Sequence, residues 1–332
     1  MSAHRGRFAP SPTGDLHLGC AATAVVTWLV ARAAGGTLAL RIEDIDGPRV
    51  VAGMAERQLD DLRWLGLDWD EGPDRGGEFG PYVQSQRFAL YEAALASLAQ
   101  RDVVYWCDCS RAEIARVASA PHAGEEGPPY PGLCRSFGLE KRSWKRPPAL
   151  RLRVPPGEIT IEDRFQGKLV QDVAHAVGDF VLKRGDGVYA YQLAVVVDDL
   201  AMGITEVVRG ADLLSSAPRQ AVLAELLGFA VPRFAHAPLV LSPDGSRLAK
   251  RARGITLRDH REAGRAPEEI VALLARTLGL LDPGELTERL SPRELRSLVR
   301  LDRLAGRREV RLEPGIVEPD APSPLGGNAR RR

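Results

Sequence analysis

His17-Leu18-Gly19-Cys20 follows a stiff run, Arg7-Phe8-Ala9-Pro10-Ser11-Pro12-Thr13-Gly14, and stands where a helical pattern begins. Backbone N–H groups at a helix start favour phosphate, and a small residue such as Gly19 allows close approach. A histidine there can contact a phosphate oxygen as its negative charge grows in a transition state. Taken alone, His-x-Gly is a weak signal and more often marks an ordinary helix start. A second constellation is Cys107-Asp108-Cys109 with Cys134. Cys-x-Cys beside a distant cysteine suits tetrahedral zinc, whose structural sites need four ligands. Ordinary chemistry nominates His122 as the fourth, and the competing reading is a metal-free loop of reduced thiols. A third is the basic turn Arg247-Leu248-Ala249-Lys250-Arg251, directly after Ser242-Pro243-Asp244-Gly245-Ser246.

These groups need a frame. Gly6 to Pro10 reads as a short strand broken by the Pro-rich run. From Leu16, the residues Leu18, Ala22, Val25 and Leu29 recur at helical spacing until Gly35-Gly36. Thr37 to Ile42 is an apolar run of strand length that delivers Glu43 at its end. Strand, helix, strand in this space is a βαβ unit, so the fold class is α/β with a parallel sheet. Helical spacing returns at Ala55–Leu65 and Arg87–Gln100. From Tyr105 the chain becomes irregular, with short β-like pieces between Leu150 and Val188. α/β character resumes at Tyr191–Asp198 and Thr205–Arg209, followed by a helix with Ser216 as N-cap and Pro218 in its first turn. Pro238–Leu241 is a last apolar run before the basic turn. Two helices are expected at Pro267–Leu278 and Ser291–Leu304. From Gly306 the Pro, Gly and charged residues predict a disordered tail.

The 332 residues carry 45 basic and 44 acidic side chains, net +1, so global charge announces no nucleic-acid partner and any electropositive track must be local. No apolar stretch approaches the ~20 residues of a membrane span. Arg5 and Arg7 have no apolar segment behind them, so the start does not read as a secretory signal. The expected compartment is the cytoplasm, and no membrane partner is expected.

The blocks Arg7 to Gly14, His17-Leu-Gly, Arg41-Ile-Glu-Asp-Ile-Asp46 with Arg49, Tyr191 to Asp199, and Gly203 to Asp212 together resemble glutamyl-tRNA synthetases, across roughly Arg7 to Arg258. That resemblance implies a class I aminoacyl-tRNA synthetase: a Rossmann-like catalytic domain that activates glutamate with ATP and magnesium. His17-Leu18-Gly19-Cys20 then matches the His-Ile-Gly-His signature without its last histidine. Arg247 to Arg251 matches Lys-Met-Ser-Lys-Ser, with Lys250 as the second lysine, Arg247 in place of the first and Ala249 in place of the serine. The resemblance implies catalytic roles for His17 and Lys250, and ATP contacts from His17, Gly19, Arg247 and Lys250.

Glutamate carries two carboxylates and an ammonium, so a selective pocket needs paired cations and an anion. Arg7 and Arg209 can each grip a carboxylate in bidentate geometry, and Glu43 at a strand's C-terminal edge can hold the ammonium. Tyr191 and Ser11 add hydroxyls, and Ala9 completes the set that the family implies.

Within that group the chain is similar to the short glutamyl-queuosine branch. It shares Cys-x-Cys followed by Tyr130-Pro-Gly-Leu-Cys134, which implies zinc on Cys107, Cys109, Tyr130 and Cys134. Gly254 to Arg332 is also too short for the helical anticodon-binding region of the longer enzymes. The resemblance then implies tRNA-independent glutamate activation and transfer to the queuosine base of tRNA(Asp), by a monomer. The alternatives are a truncated glutamyl-tRNA synthetase charging an acceptor end, and a non-catalytic paralogue. The expected division is 1–104 and 190–258 as halves of the catalytic domain, 105–189 as the zinc-bearing insertion, 259–305 as a short helical region and 306–332 as the tail.

Overall fold

A computed structural model describes residues 3–117, 129–248, 256–285 and 287–314. His122, Ala249, Lys250, Arg251 and Arg253 lie outside the described residues, as does the chain from 315 onward. The alternation read from the sequence is present: β1 (Arg5–Phe8), α1 (Leu18–Ala33) and β2 (Thr37–Leu40) form a unit in which β1 and β2 pair in parallel, Arg7 opposite Ala39. α1 begins because His17 is extended and its Nδ1 accepts the Cys20 N–H at 3.1 Å. Its residues from Leu18 to Ala31 are buried on nearly every side, so it serves as the central rod of the largest core cluster.

α2 (Met54–Trp64) and α3 (Phe88–Gln100) follow, then β3 (Val104–Cys107) and α4 (Arg111–Val117). Next come β4 (Ala149–Leu152), β5 (Glu158–Asp163), β6 (Gly167–Asp172), α5 (Val173–Ala176) and β7 (Val181–Lys183). Strands β3, β4 and β7 make an antiparallel sheet, and α3 packs its Tyr91, Leu95 and Leu98 with Leu152 and Leu182 in a second core. α6 (Tyr191–Ala201), β8 (Glu206–Gly210), α7 (Ala217–Leu226) and β9 (Arg233–Ala237) complete the α/β part. β8 and β9 are parallel, with Arg209 opposite His236, and β8 lies beside β1, where Thr205 N–H donates to Arg5 O at 2.9 Å.

Three features depart from the sequence reading. β5 falls inside the expected insertion, yet it meets β9 in parallel at Asp163 and Phe234. The helix expected over Ser291–Leu304 is α10 (Pro292–Leu298), which stops at an extended Val299; a 3-10 turn follows at Leu301–Leu304. The stop is tertiary, because Arg300 N–H donates to Leu280 O at 2.9 Å. The tail is not irregular at its start: β11 (Glu309–Arg311) pairs in parallel with β10 (Leu239–Leu241). Val310 and Leu312 are buried while Glu309 and Arg311 face solvent, a period-two pattern hidden by the polar composition.

The remaining helices are α8 (Leu257–Glu262) and α9 (Pro267–Leu278). α9 has Pro267 at its start, Glu268 and Glu269 in its first turn and Gly279 at φ +69° closing it. Among the described residues no helix is long and apolar enough to cross a membrane.

Candidate functional site

The C-terminal ends of β1 and β8, the start of α1 and the turn after β2 enclose a cleft of about 640 Å³. Arg7, Ala9, Ser11, His17, Gly19, Glu43, Tyr191 and Arg209 all line it, so every described glutamate-contact candidate meets His17 and Gly19 in one cavity. Arg247 is not among its lining residues, although its neighbour Leu248 is. Lys250, the other expected catalytic residue, lies outside the described residues. A Cβ at Gly19 would stand 3.0 Å from the His17 ring, a close contact that would press on the imidazole.

Charges beneath the cleft are tied in a chain. Arg7 Nε donates to Asp199 at 3.1 and 3.2 Å, and its Nη1 donates to Val208 O at 3.0 Å. Arg41, with no exposed surface, donates through Nη1 to Asp199 at 2.7 Å and through Nη2 to Glu43 at 2.9 Å. Neighbouring Asp198 accepts from Arg87 at 2.6 Å, Gln84 at 2.7 Å and Tyr91 at 2.9 Å. Burial acts against ionisation of Asp199, but Arg7 and Arg41 outweigh it and hold its carboxyl below the usual range. Burial raises Glu43, opposed by Arg41, so a ligand ammonium beside it would favour the ionised form. Burial likewise raises the Tyr191 phenol.

Arg209 is held differently. Its Nε donates to His236 Nε2 at 2.9 Å, Nη1 to Gln220 Oε1 at 2.7 Å and Nη2 to Leu213 O at 3.2 Å. The sequence reading does not single out Asp198, Asp199, Asp163, His236 or Gln220, and Arg41 enters it only within a motif. The available signal was two adjacent aspartates ending the apolar run Val195-Val196-Val197, where buried carboxylates require partners.

Beyond β10 the chain turns tightly at Ser242–Gly245. Gly245 adopts φ +86°, Ser242 N–H donates to Ser246 O at 2.9 Å, and Leu241 bridges Arg247. On the far side of 249–255, Thr256 bridges His17, and Leu257 N–H donates to Leu16 O at 2.8 Å. The entry of the basic segment is therefore tied to β10, and its exit is fixed beside the start of α1.

In the insertion, the sulfurs of Cys107, Cys109 and Cys134 lie within 4.8 Å of one another. Tyr130 Oη is 3.3 Å from Cys107 Sγ and 3.8 Å from Cys109 Sγ, and it accepts the Cys134 N–H at 2.9 Å. Three thiols thus converge with a phenol oxygen beside them, and the thiol cluster could hold a metal ion such as zinc. Burial pushes the Cys109 thiol up to about 12, which a bound cation would reverse. The Arg151 guanidinium stacks over the Tyr130 ring at 3.9 Å.

The family model for the class I tRNA synthetase catalytic domain (E and Q) matches residues 4–305. Glutamyl-Q tRNA(Asp) synthetase of Symbiobacterium thermophilum is 53% identical over 285 residues, covering 84% of this chain and 88% of that one. The protein of the same name from Nitratidesulfovibrio vulgaris is 51% identical over 281 residues, covering 83% and 87%. Among solved structures, a glutamate-tRNA synthetase from Elizabethkingia anophelis superposes with a TM-score of 0.78 at 29% identity, over 95% of this chain and 69% of that one. A glutamate tRNA ligase from Elizabethkingia meningosepticum, crystallised with its amino acid, gives the same score and identity, over 94% and 67%. The chain is therefore a ligase-class enzyme of the class I tRNA synthetases and belongs to the glutamyl-Q tRNA(Asp) synthetase family.

Proposed function

We propose that this enzyme activates L-glutamate with ATP in the absence of tRNA, then transfers it to the queuosine base at the wobble position of tRNA(Asp). The observation that carries the first half is the meeting of Arg7, Arg209 and Glu43 in one cleft with the His17 helix start. Two guanidiniums answer two carboxylates, and the Glu43 carboxylate answers the ammonium. The glutamate α-carboxylate oxygen attacks the α-phosphorus of ATP and pyrophosphate leaves. His17 and Lys250 stabilise charge on the phosphates, while Gly19 and Arg247 belong to the same nucleotide-binding surface. Magnesium bound with ATP supplies charge neutralisation. A queuosine hydroxyl then attacks the adenylate carbonyl, its proton passes to solvent and AMP leaves.

Cys107, Cys109, Tyr130 and Cys134 would hold a structural zinc ion that ties down the insertion. On this reading residues 1–104 and 190–258 act together as catalytic halves in a cytoplasmic monomer. The names of the relatives support the RNA acceptor; they do not specify the order of steps.

The test is ATP–pyrophosphate exchange with glutamate, aspartate or glutamine, without tRNA, followed by labelled glutamate transfer to tRNA(Asp) with and without queuosine. Exchange with glutamate alone, and transfer only to the queuosine-bearing RNA, is the expected result. An exchange that requires tRNA would favour acceptor-end charging instead, and no exchange at all would favour a non-catalytic paralogue.

A further inference from the structure

Arg7 and Arg209 line the same cleft, yet their restraints differ in charge. Arg7 is bound to a carboxylate, Asp199. Arg209 is held by three neutral acceptors: the His236 imidazole, the Gln220 amide and the Leu213 carbonyl. Among the described residues no carboxylate forms a direct ion pair with it, although the Tyr191 hydroxyl and the Asp199 charge also act on it.

The imidazole can play that part only in one tautomer. His236 is opposite Arg209 on the adjacent parallel strand and is wholly buried. Its Nδ1 stands 2.5 Å from Asp163 Oδ2. Asp163 Oδ1 accepts the backbone N–H groups of Phe165 at 3.0 Å, Gln166 at 2.9 Å and His236 at 3.1 Å. A carboxylate that accepts from three amides is an acceptor toward its fourth partner too. With the proton on Nδ1, the Nε2 lone pair faces Arg209 Nε–H, while the Leu213 carbonyl, also beside the ring, favours the opposite tautomer.

We propose that Asp163 and His236 are positioning residues for Arg209. Ionised Asp163 fixes His236 as the neutral Nδ1–H tautomer, and His236 Nε2 aims the guanidinium into the cleft while leaving its charge for a substrate carboxylate. A direct carboxylate partner would hold Arg209 as firmly but would compete with the ligand for the same donors. The inference rests on the reading above that Arg209 grips a carboxylate of glutamate.

Asp163→Asn tests it with little change of shape. The amide nitrogen, in place of Oδ2, donates to Nδ1 and drives the imidazole proton to Nε2, where it opposes Arg209 Nε–H. The expected result is a glutamate KM raised roughly 10- to 100-fold in pyrophosphate exchange, with the ATP KM unchanged. Nitrogen NMR of the imidazole should place the proton on Nδ1 in the wild type and on Nε2 in the variant. His236→Gln, which offers an acceptor to Arg209 and a donor to Asp163, should stay close to wild type in glutamate KM, whereas His236→Leu should not. This pair decides the matter if Asp163→Asn fails to fold. A wild-type proton on Nε2, or equal glutamate KM values for His236→Gln and His236→Leu, overturns the proposal. Arg209→Gln separates the two readings. If it raises the glutamate KM while the Asp163 and His236 variants do not, only this inference fails. If it leaves that KM unchanged, the carboxylate role falls and this inference with it.

Discussion

Arg7 on β1 and Asp199 on α6 meet through the guanidinium Nε, which donates to both carboxylate oxygens at 3.1 and 3.2 Å. Asp199 is shared, because Arg41 donates to its Oδ1 at 2.7 Å and continues to Glu43. One helical carboxylate thus sets the place of a cation lining the cleft and, through Arg41, of the anion opposite it.

Asp199→Asn removes the carboxylate partner of buried Arg7 and one of the carboxylate partners of buried Arg41. Leaving a buried charge without its partner costs about 3–5 kcal/mol; the retained amide oxygen places this variant near the lower figure. Urea unfolding should show a loss of that size, and glutamate KM should rise because Arg7 and Glu43 both lose their reference point. A variant of wild-type stability with unchanged glutamate KM would show that the chain from Arg7 to Glu43 is not held by Asp199.

A pH effect on stability follows from buried His236 and partly buried His4. Burial lowers His236, with Asp163 across it from β5 opposing and Arg209 from β8 reinforcing the shift. Burial also lowers His4, where Glu206 opposes and Arg233 and Arg164 reinforce. Below the ordinary value of 6.5, the unfolded chain binds protons that the folded chain resists. Stability is therefore present above about pH 6.5 and is lost on acidification, at up to about 1.4 kcal/mol per pH unit for each group. Asp163 and Asp199, whose folded values are lowered, contribute only at more acid pH. Urea midpoints should fall between pH 7 and pH 5.5, and His236→Gln should flatten part of that slope. Midpoints constant over this range contradict the account.

Local signals carried the reading of the sequence far. The start of α1 at His17 and the span of α9 from Pro267 to Leu278 were legible, because a few adjacent residues decide them. What was not legible is non-local. Arg7 and Asp199 are separated by 192 positions, and Asp163 and His236 by 73. No spacing rule connects them until β5 is laid beside β9. The same limit explains β11, whose three residues have meaning only against β10, and the end of α10, imposed by a hydrogen bond from Arg300 to Leu280 rather than by a glycine or proline.

The thiol cluster gives a metal prediction. Purified protein should carry one zinc per chain by elemental analysis. Chelation, or Cys134→Ser, should lower the melting temperature by several degrees, because metal binding and folding of such a segment are coupled. Tyr130→Phe keeps three thiolates and removes the phenol oxygen, so it should weaken zinc retention without abolishing it. Full retention in Tyr130→Phe would return the fourth position to another ligand such as His122.

The basic segment leads out into Thr256. Its exit is fixed to the start of α1 by the Thr256–His17 bridge, and α8 is fixed to α2 by Arg258, whose Nη2 lies 2.7 Å from Asp61 Oδ1. Asp61 is buried; Arg261 lies 3.4 Å from it and also pairs with exposed Asp60 at 2.6 Å. If this contact holds the segment's exit where Lys250 can reach the phosphates, then Asp61→Asn should raise the ATP KM in pyrophosphate exchange about 10-fold. The glutamate KM should stay unchanged, because Arg7, Glu43 and Arg209 do not depend on α8. Lys250→Ala provides the comparison: it deletes the charge itself and should lower kcat roughly 100-fold. Asp61→Asn with normal ATP KM but reduced stability would make the Arg258 contact structural only. A parallel rise in glutamate KM would mean that α8 supports the whole cleft and not the phosphate end alone.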